Sequence, residues 1–123
     1  MLDLTLTIVQ GLAATVFTLT GAAKLIVPRE ALAPRMHWAS SWPRGRIKLL
    51  GLAEVAGAAG LVAPRAVGFA PALTPIAAVC LAILMAGAVH THRRLGERWL
   101  PAAFIGALCI GIAAGRLALG AHA

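Results

Sequence analysis

The chain has 123 residues, of which 60% are hydrophobic and 12% charged, and its 11 Lys and Arg residues outnumber 4 Asp and Glu residues. A soluble globular domain is about 45–50% apolar and about 25% charged, so a chain this short has too little interior to hide its apolar residues from water. Its two cysteines are too few for a secreted disulfide framework. The composition excludes most soluble folds and predicts one membrane domain whose main partner is the lipid bilayer.

Four apolar segments are long enough to cross a bilayer, which takes roughly 20 residues in a helix. They cover residues 4–27, 47–63, 71–90 and 99–118. Long apolar runs without two-residue alternation favour helices over strands, and helices also satisfy the backbone within lipid. The predicted fold is an all-α four-helix transmembrane bundle that takes up residues 1–123.

The distribution of basic residues predicts the orientation of these spans. Four spans put both termini on one side of the membrane, and the loops of residues 28–46 and 91–98 on the other. By the positive-inside rule, these two loops are expected in the cytoplasm and both termini outside, in the plasma or bacterial inner membrane. The net charge of +7 then reflects orientation and anionic lipid, and no nucleic acid is expected as a partner. The side of these two loops holds Arg29, Arg35, Arg44, Arg46, Lys48, Arg93, Arg94 and Arg98, against only Arg65 and Arg116 on the other side.

The basic loop of residues 28–46 is too long for a tight turn. Residues 30–41 are expected to form a short interfacial helix. Trp38 and Trp42, together with Trp99 at the start of the fourth span, are predicted anchors at headgroup depth. The alternative function for this loop is a lid over a site that opens toward the cytoplasm.

Three ionisable side chains, Lys24, Glu54 and His90, lie within the predicted spans. Such groups are costly in a membrane, usually face the bundle interior and are candidates for function. They lie five, six and three residues from the basic residues that bound their spans. At about 1.5 Å per residue the three depths differ by only a few ångströms, so the side chains could meet near the cytoplasmic side.

Helical spacing also supports this convergence. Residues three, four and seven apart lie on one face of a helix. Gln10, Phe17 and Thr20 share the face of Lys24 and are weaker candidates for lining a pocket. The opposite face of the first span is apolar. Small residues are expected to allow close helix packing, either within the bundle or, for the last two, in a homo-oligomer: Gly51, Gly57, Gly111 and Gly115.

The charged cluster has two interpretations. In the first, it forms a polar pocket for a headgroup or a proton-coupled cofactor, where Glu54 accepts hydrogen bonds or carries protons, Lys24 compensates its charge and His90 titrates. In the second, Lys24 and Glu54 form an ion pair that only sets the helix register.

Other chemistry is weakly indicated. Cys80 and Cys109 lie near the middle of the last two spans and could form a redox pair, although buried free cysteine usually packs as a small apolar residue. A haem bound by two histidines is disfavoured, because His37, His92 and His122 are poorly placed for it. No spacing typical of a metal site, a phosphate-binding loop or a catalytic triad is present, so no metal, certain cofactor or catalytic residue is predicted.

Three motifs make the chain resemble the DoxX-like family of small four-helix membrane proteins. They are Phe17-x-x-x-Gly21-x-x-Lys24 in the first span, Gly51-x-x-Glu54-x-x-Gly57-x-x-Gly60-Leu61 in the second, and Ala86-Gly87-x-x-His90 in the third. The resemblance covers about residues 17–115. It maps Lys24, Glu54 and His90 onto polar positions that recur in the family, and it implies a redox-linked role with a quinone or lipid-like molecule in the pocket.

The expected function is therefore an accessory membrane subunit of a quinone-coupled oxidoreductase. It would not be an enzyme on its own, and another protein would supply the electrons. The alternatives are a small proton-coupled transporter, whose usual carboxylate in the first span is missing here, and a structural or assembly factor without a ligand.

Overall fold

The computed structural model describes residues 1–34, 36, 38–39 and 42–120. The described residues form helices, turns and loops, and no β-strand. The α-helices are α1 (Leu2–Ile26), α2 (Arg29–Leu32), α3 (Arg44–Val67), α4 (Leu73–Arg94) and α5 (Leu100–Gly120). All but α2 are long and apolar enough to cross a membrane. The predicted all-α bundle with four spanning helices is confirmed.

The four long helices form a ring in which α1 and α4 each neighbour α3 and α5. Of the four neighbouring pairs, α1 with α3 and α4 with α5 pack most extensively, whereas α1 and α5 touch least. Successive long helices run antiparallel. We call the end of the bundle where α1 begins and α5 finishes the terminal end. The opposite end, where the chain passes from α1 to α3, is the loop end.

Glycines let the neighbouring helices approach closely, as is common in membrane bundles. At the crossing of α1 and α3, a Cβ added to Gly21 would lie 2.7 Å from the carbonyl oxygen of Gly51, and the reverse distance is also 2.7 Å. Each other pair of neighbours has its own close contact: Gly57 of α3 against Leu81 of α4, Gly106 of α5 against Met85 of α4, and Gly115 of α5 against Leu6 of α1.

The two faces of α1 lie as the sequence pattern predicts. Gln10, Phe17 and Lys24 are buried, while Leu12 and Leu19 are 66% and 67% exposed. Exposed apolar side chains also cover α3, α4 and α5. Such a surface is stable when its surroundings are hydrocarbon, so the apolar exterior agrees with a position in the bilayer.

Helix α3 continues to Val67, beyond Pro64, where the apolar segment ends in the sequence. A proline inside a helix has no N–H, so the carbonyl of Gly60 loses its usual donor. The hydroxyl of Thr74, in the first turn of α4, donates to that carbonyl at 3.1 Å. A hydrogen bond from the neighbouring helix thus replaces the missing one, and α3 finishes only at Gly68, whose φ of 69° suits a glycine C-cap.

The first loop turns one of its tryptophans inward. Trp38 is 8% exposed and belongs to a small core with Leu32 and Ile47. Trp42 meets it edge to face, with 5.2 Å between ring centroids. The ring of Trp38 therefore packs against other side chains of the protein.

In the segment predicted as a helix, residues 30–41, the described residues contain only a short piece of α-helix. The α-helix within the segment predicted for residues 30–41 is α2, with four residues. Arg35, His37, Ser40 and Ser41 lie outside the described residues. Trp99, the third predicted anchor, is 36% exposed, and the guanidinium carbon of Arg93 lies 5.2 Å from its ring centroid.

Candidate functional site

Lys24 of α1 and Glu54 of α3 form an ion pair inside the bundle. The Lys24 Nζ lies 2.6 Å from the Glu54 Oε2, and the two side chains are only 8% and 4% exposed. Thr20, one turn before Lys24, donates from its hydroxyl to the other carboxylate oxygen, Oε1, at 3.2 Å. Both oxygens of Glu54 thus accept hydrogen bonds, which offsets part of the cost of burying the carboxylate.

The crossing of α1 and α3 positions this pair. Gly21 lies three residues before Lys24, and Gly51 lies three residues before Glu54. Residues three apart share a helix face, so each charged side chain projects on the same side as its glycine. The backbones nearly touch at the glycines, with Glu54 beside Gly21 and Lys24 beside Gly51, so the two charged side chains can bond across the crossing.

A cavity of about 530 Å³ lies beside the pair, toward the loop end. Its lining includes Lys24, Glu54 and Thr20, the fully buried Phe17, and apolar residues of α4 and α5. Trp38 also lines it, with its ring centroid 5.7 Å from the Lys24 Nζ, close enough for a cation–π interaction. The volume falls in the range of about 300–1,000 Å³ that is typical of small-molecule pockets.

His90 lines the same cavity, from an exposed position near the end of α4. Among the hydrogen bonds between described residues, none joins it to Lys24 or Glu54. The three candidates therefore meet around one space without forming one bonded cluster. His92 lines the cavity too, and its Nδ1 lies 3.1 Å from the Oε2 of Glu97.

Gln10 lies in a second polar network, near the terminal end. Its amide nitrogen donates to the carbonyl of Leu61 at 2.7 Å, and its amide oxygen accepts from Nε of Arg116 at 2.5 Å. The same guanidinium donates to the Asp3 carboxylate and to the Thr7 hydroxyl. Gln10 is thus separate from the cavity lining, unlike the other two weaker candidates, Phe17 and Thr20.

Arg116 is the buried charge that the sequence reasoning missed. It was counted among the basic residues outside the membrane, yet its side chain is 4% exposed. The missed signal is helical spacing, because Cys109, Ile112 and Ala113 lie seven, four and three residues before it and are all buried. An arginine on that face had to enter the bundle.

Three other candidates lie apart from the cavity. Both cysteines are free thiols, and Cys80 is exposed whereas Cys109 is buried in the core. Gly111 is exposed, and a Cβ added there would meet no atom within 4 Å; it makes no packing contact inside the bundle, unlike Gly115. Among the described residues, no three His, Cys, Asp or Glu side chains gather as a metal site, and His37 and His122 lie outside those residues.

These features define a class of protein: a four-helix membrane bundle with a buried ion pair in the wall of an apolar cavity. Comparison with protein-family models matches the DoxX-like family over residues 8–115. The match covers all of α3 and α4 and most of α1 and α5, and it includes Lys24, Glu54 and His90. The chain belongs to the DoxX-like family.

The other two comparisons give no relative. No curated protein and no solved structure matches the chain.

Proposed function

We propose that the cavity binds a lipid-like molecule with an uncharged, carbonyl-bearing headgroup, of which a quinone is the best example. The observation that carries this proposal is the Lys24–Glu54 pair in the wall of a largely apolar space of about 530 Å³. Ligand sites commonly combine apolar walls with a few convergent polar groups.

The charges and donors of the pair favour this ligand chemistry. The ion pair has no net charge, so the site offers no excess positive charge to an anionic headgroup. Both oxygens of Glu54 are already engaged, by Lys24 and Thr20. An ammonium has three N–H donors, and Glu54 is the one hydrogen-bond acceptor that the described side chains supply to Lys24. A carbonyl oxygen in the cavity can therefore accept from Lys24.

The titratable groups around the cavity suit a ligand that exchanges protons. Reduction of a quinone to a quinol takes up two electrons and two protons. Glu54 and His90 line the cavity, and His92 connects it to Glu97 in the loop between α4 and α5. In this proposal a partner oxidoreductase supplies the electrons, and this chain holds the headgroup and handles its protons.

We further propose that the loop end faces the cytoplasm of a bacterial cell and the termini face outside. The support is the clustering of exposed basic side chains at the loop end, among them Arg44, Lys48, Arg93 and Arg94.

The test is a binding titration with a short-chain ubiquinone, read by quenching of tryptophan fluorescence in detergent micelles. Trp38 and Trp42 line the cavity, so a bound quinone should quench them. Ala88→Phe, which places a ring on the cavity lining, is expected to weaken binding by about tenfold or more, roughly 1.4 kcal/mol. The matched control is Ala86→Phe, on the same helix but exposed and outside the lining.

Glu54→Gln tests the role of the pair itself. We expect it to keep the helical circular dichroism of the original and to lose any quinone that copurifies, as measured by mass spectrometry of extracted lipids. Equal quenching of both alanine variants, together with identical lipid profiles for the original and Glu54→Gln, would overturn the proposal.

One observation favours a second candidate, a purely structural pair. In the part of the chain that the structure describes, no buried side-chain nitrogen or oxygen lacks a hydrogen-bond partner. The Lys24–Glu54 pair is hydrogen-bonded without any ligand, so its sole role could be to fix the register of α1 against α3. In that case Lys24→Met combined with Glu54→Leu would preserve function in cells, whereas the ligand proposal predicts its loss.

A further inference from the structure

We infer that the cavity opens sideways into the bilayer between α1 and α5, and that the tail of the bound molecule leaves the protein through this gap. This inference rests on the proposed function, since it concerns the route of the same ligand. It adds a portal and a requirement on the shape of the ligand: one long flexible chain attached to the headgroup.

Each of the other three seams has a close contact within about one helical turn of a cavity residue. Between α1 and α3, the backbones meet at Gly21 and Gly51, one turn from the ion pair. Between α4 and α5, Met85 lies against Gly106, and Met85 itself lines the cavity. Between α3 and α4, Leu81 packs on Gly57, three residues beyond Glu54.

The seam between α1 and α5 has its glycine contact and its hydrogen bonds toward the terminal end, and core residues such as Ala13 and Cys109 lie between these contacts and the cavity. Its close contact is Leu6 on Gly115, and its hydrogen bonds run from Arg116 to side chains in the first three turns of α1. Gly115 lies ten residues beyond Ile105, the cavity residue of α5 nearest to it. At 1.5 Å per residue, this contact is about 15 Å farther along α5 than the cavity.

The cavity reaches the protein surface at this seam. Val16 of α1 lines the cavity and is 38% exposed, and Pro101 of α5 lines it and is also exposed. No hydrogen bond between described side chains joins α1 to α5 at this height. Exposed lining residues also occur on α4, at Ile83 and Gly87, but that helix is held on both sides by the contacts of Leu81 and Met85.

The volume of the cavity identifies what passes through the gap. A space of about 530 Å³ holds a molecule of drug size, which corresponds to a headgroup with the beginning of a tail. A long isoprenoid chain needs further room, and hydrocarbon lies directly outside Val16. The apolar lining continues to that edge, so the chain can cross it without exposing apolar surface to water.

The experiment compares two ubiquinones that differ only in tail length, one with a single isoprene unit and one with eight. Each is incubated with the purified protein in detergent, and bound quinone is measured by extraction and chromatography. Val16→Trp, which fills the gap, is expected to reduce retention of the long-tailed quinone about tenfold more than it reduces retention of the short-tailed one. Val79→Trp is the matched control, because Val79 is 46% exposed and outside the cavity lining.

Pro101→Trp applies the same test from the α5 side of the gap, in case Val16→Trp does not fold. Equal loss of both quinones, or no loss of either, would overturn the portal while leaving the binding site intact. Selective loss of the long-tailed quinone in Gly87→Trp instead would place the opening on α4 and overturn the assignment to α1 and α5. If the unmodified protein retains neither quinone, the proposed function itself fails.

Discussion

Among the described residues, one buried cation lies near each end of the bundle, and the two are held in different ways. At the terminal end, all three nitrogens of the Arg116 guanidinium donate to side chains of α1. At the loop end, Lys24 bonds to one carboxylate and lines a cavity of about 530 Å³. A rigid planar guanidinium suits a fixed clamp, whereas a compact ammonium with three rotatable donors can also serve a ligand. We therefore regard the terminal end as structural and the loop end as the place of function.

The largest expected loss of unfolding free energy comes from removing one partner of the Lys24–Glu54 pair. Glu54→Leu leaves the Lys24 ammonium buried without its carboxylate, and breaking a buried pair in this way costs about 3–5 kcal/mol. The double variant Lys24→Met with Glu54→Leu removes both charges and should regain most of this loss. Denaturant unfolding in mixed micelles, followed by circular dichroism, measures both values. A double variant no more stable than Glu54→Leu would show that the pair itself stabilises the fold.

The next largest loss of unfolding free energy is expected at the terminal end, where Arg116 bonds to side chains of α1. Arg116→Met removes the donors to the buried Gln10 amide and to the Asp3 carboxylate, and we expect a loss of about 1–3 kcal/mol in unfolding free energy. Quinone binding should remain unchanged, because Arg116 does not line the cavity. Weakened binding with an intact fold would contradict the division between the two ends.

The smallest effects come from the glycines, and they also distinguish the ends. Gly21→Ala places a Cβ 2.7 Å from the backbone carbonyl oxygen of Gly51, which can move only with its helix; we expect a cost of roughly 1–3 kcal/mol. Gly115→Ala meets the flexible end of Leu6 at 2.8 Å, so its cost should be below about 1 kcal/mol. Thermal unfolding of the two variants side by side measures the difference. Equal losses would mean that both crossings are equally rigid.

The helices could be predicted because each depends on local properties of the chain. Apolar runs of sufficient length, proline positions and the buried stripe of α1 are all readable without knowledge of neighbouring helices. The convergence of Lys24 and Glu54 was also predictable, because antiparallel spans of known depth limit which positions can meet. The position of Gln10 was not predicted. Its helix face shows that it points inward, but not that it bonds to Arg116 instead of lining the cavity.

Contacts between distant parts of the chain could not be read in this way. The burial of Trp38 was not predicted, because its neighbours Leu32 and Ile47 come together only in the folded loop. The extension of α3 beyond Pro64 depends on a hydroxyl from α4. Gly111 and Gly115 form one sequence motif, yet only Gly115 meets another helix.

Length, hydropathy and helical spacing, which act within about twenty residues, thus account for the membrane bundle and for the inward face that carries Lys24. The choice of partners came from packing. Which side chains bond to Arg116, where the cavity lies and which seam stays open depend on how four helices share limited space around their glycines, and a single pattern along the chain does not contain that information.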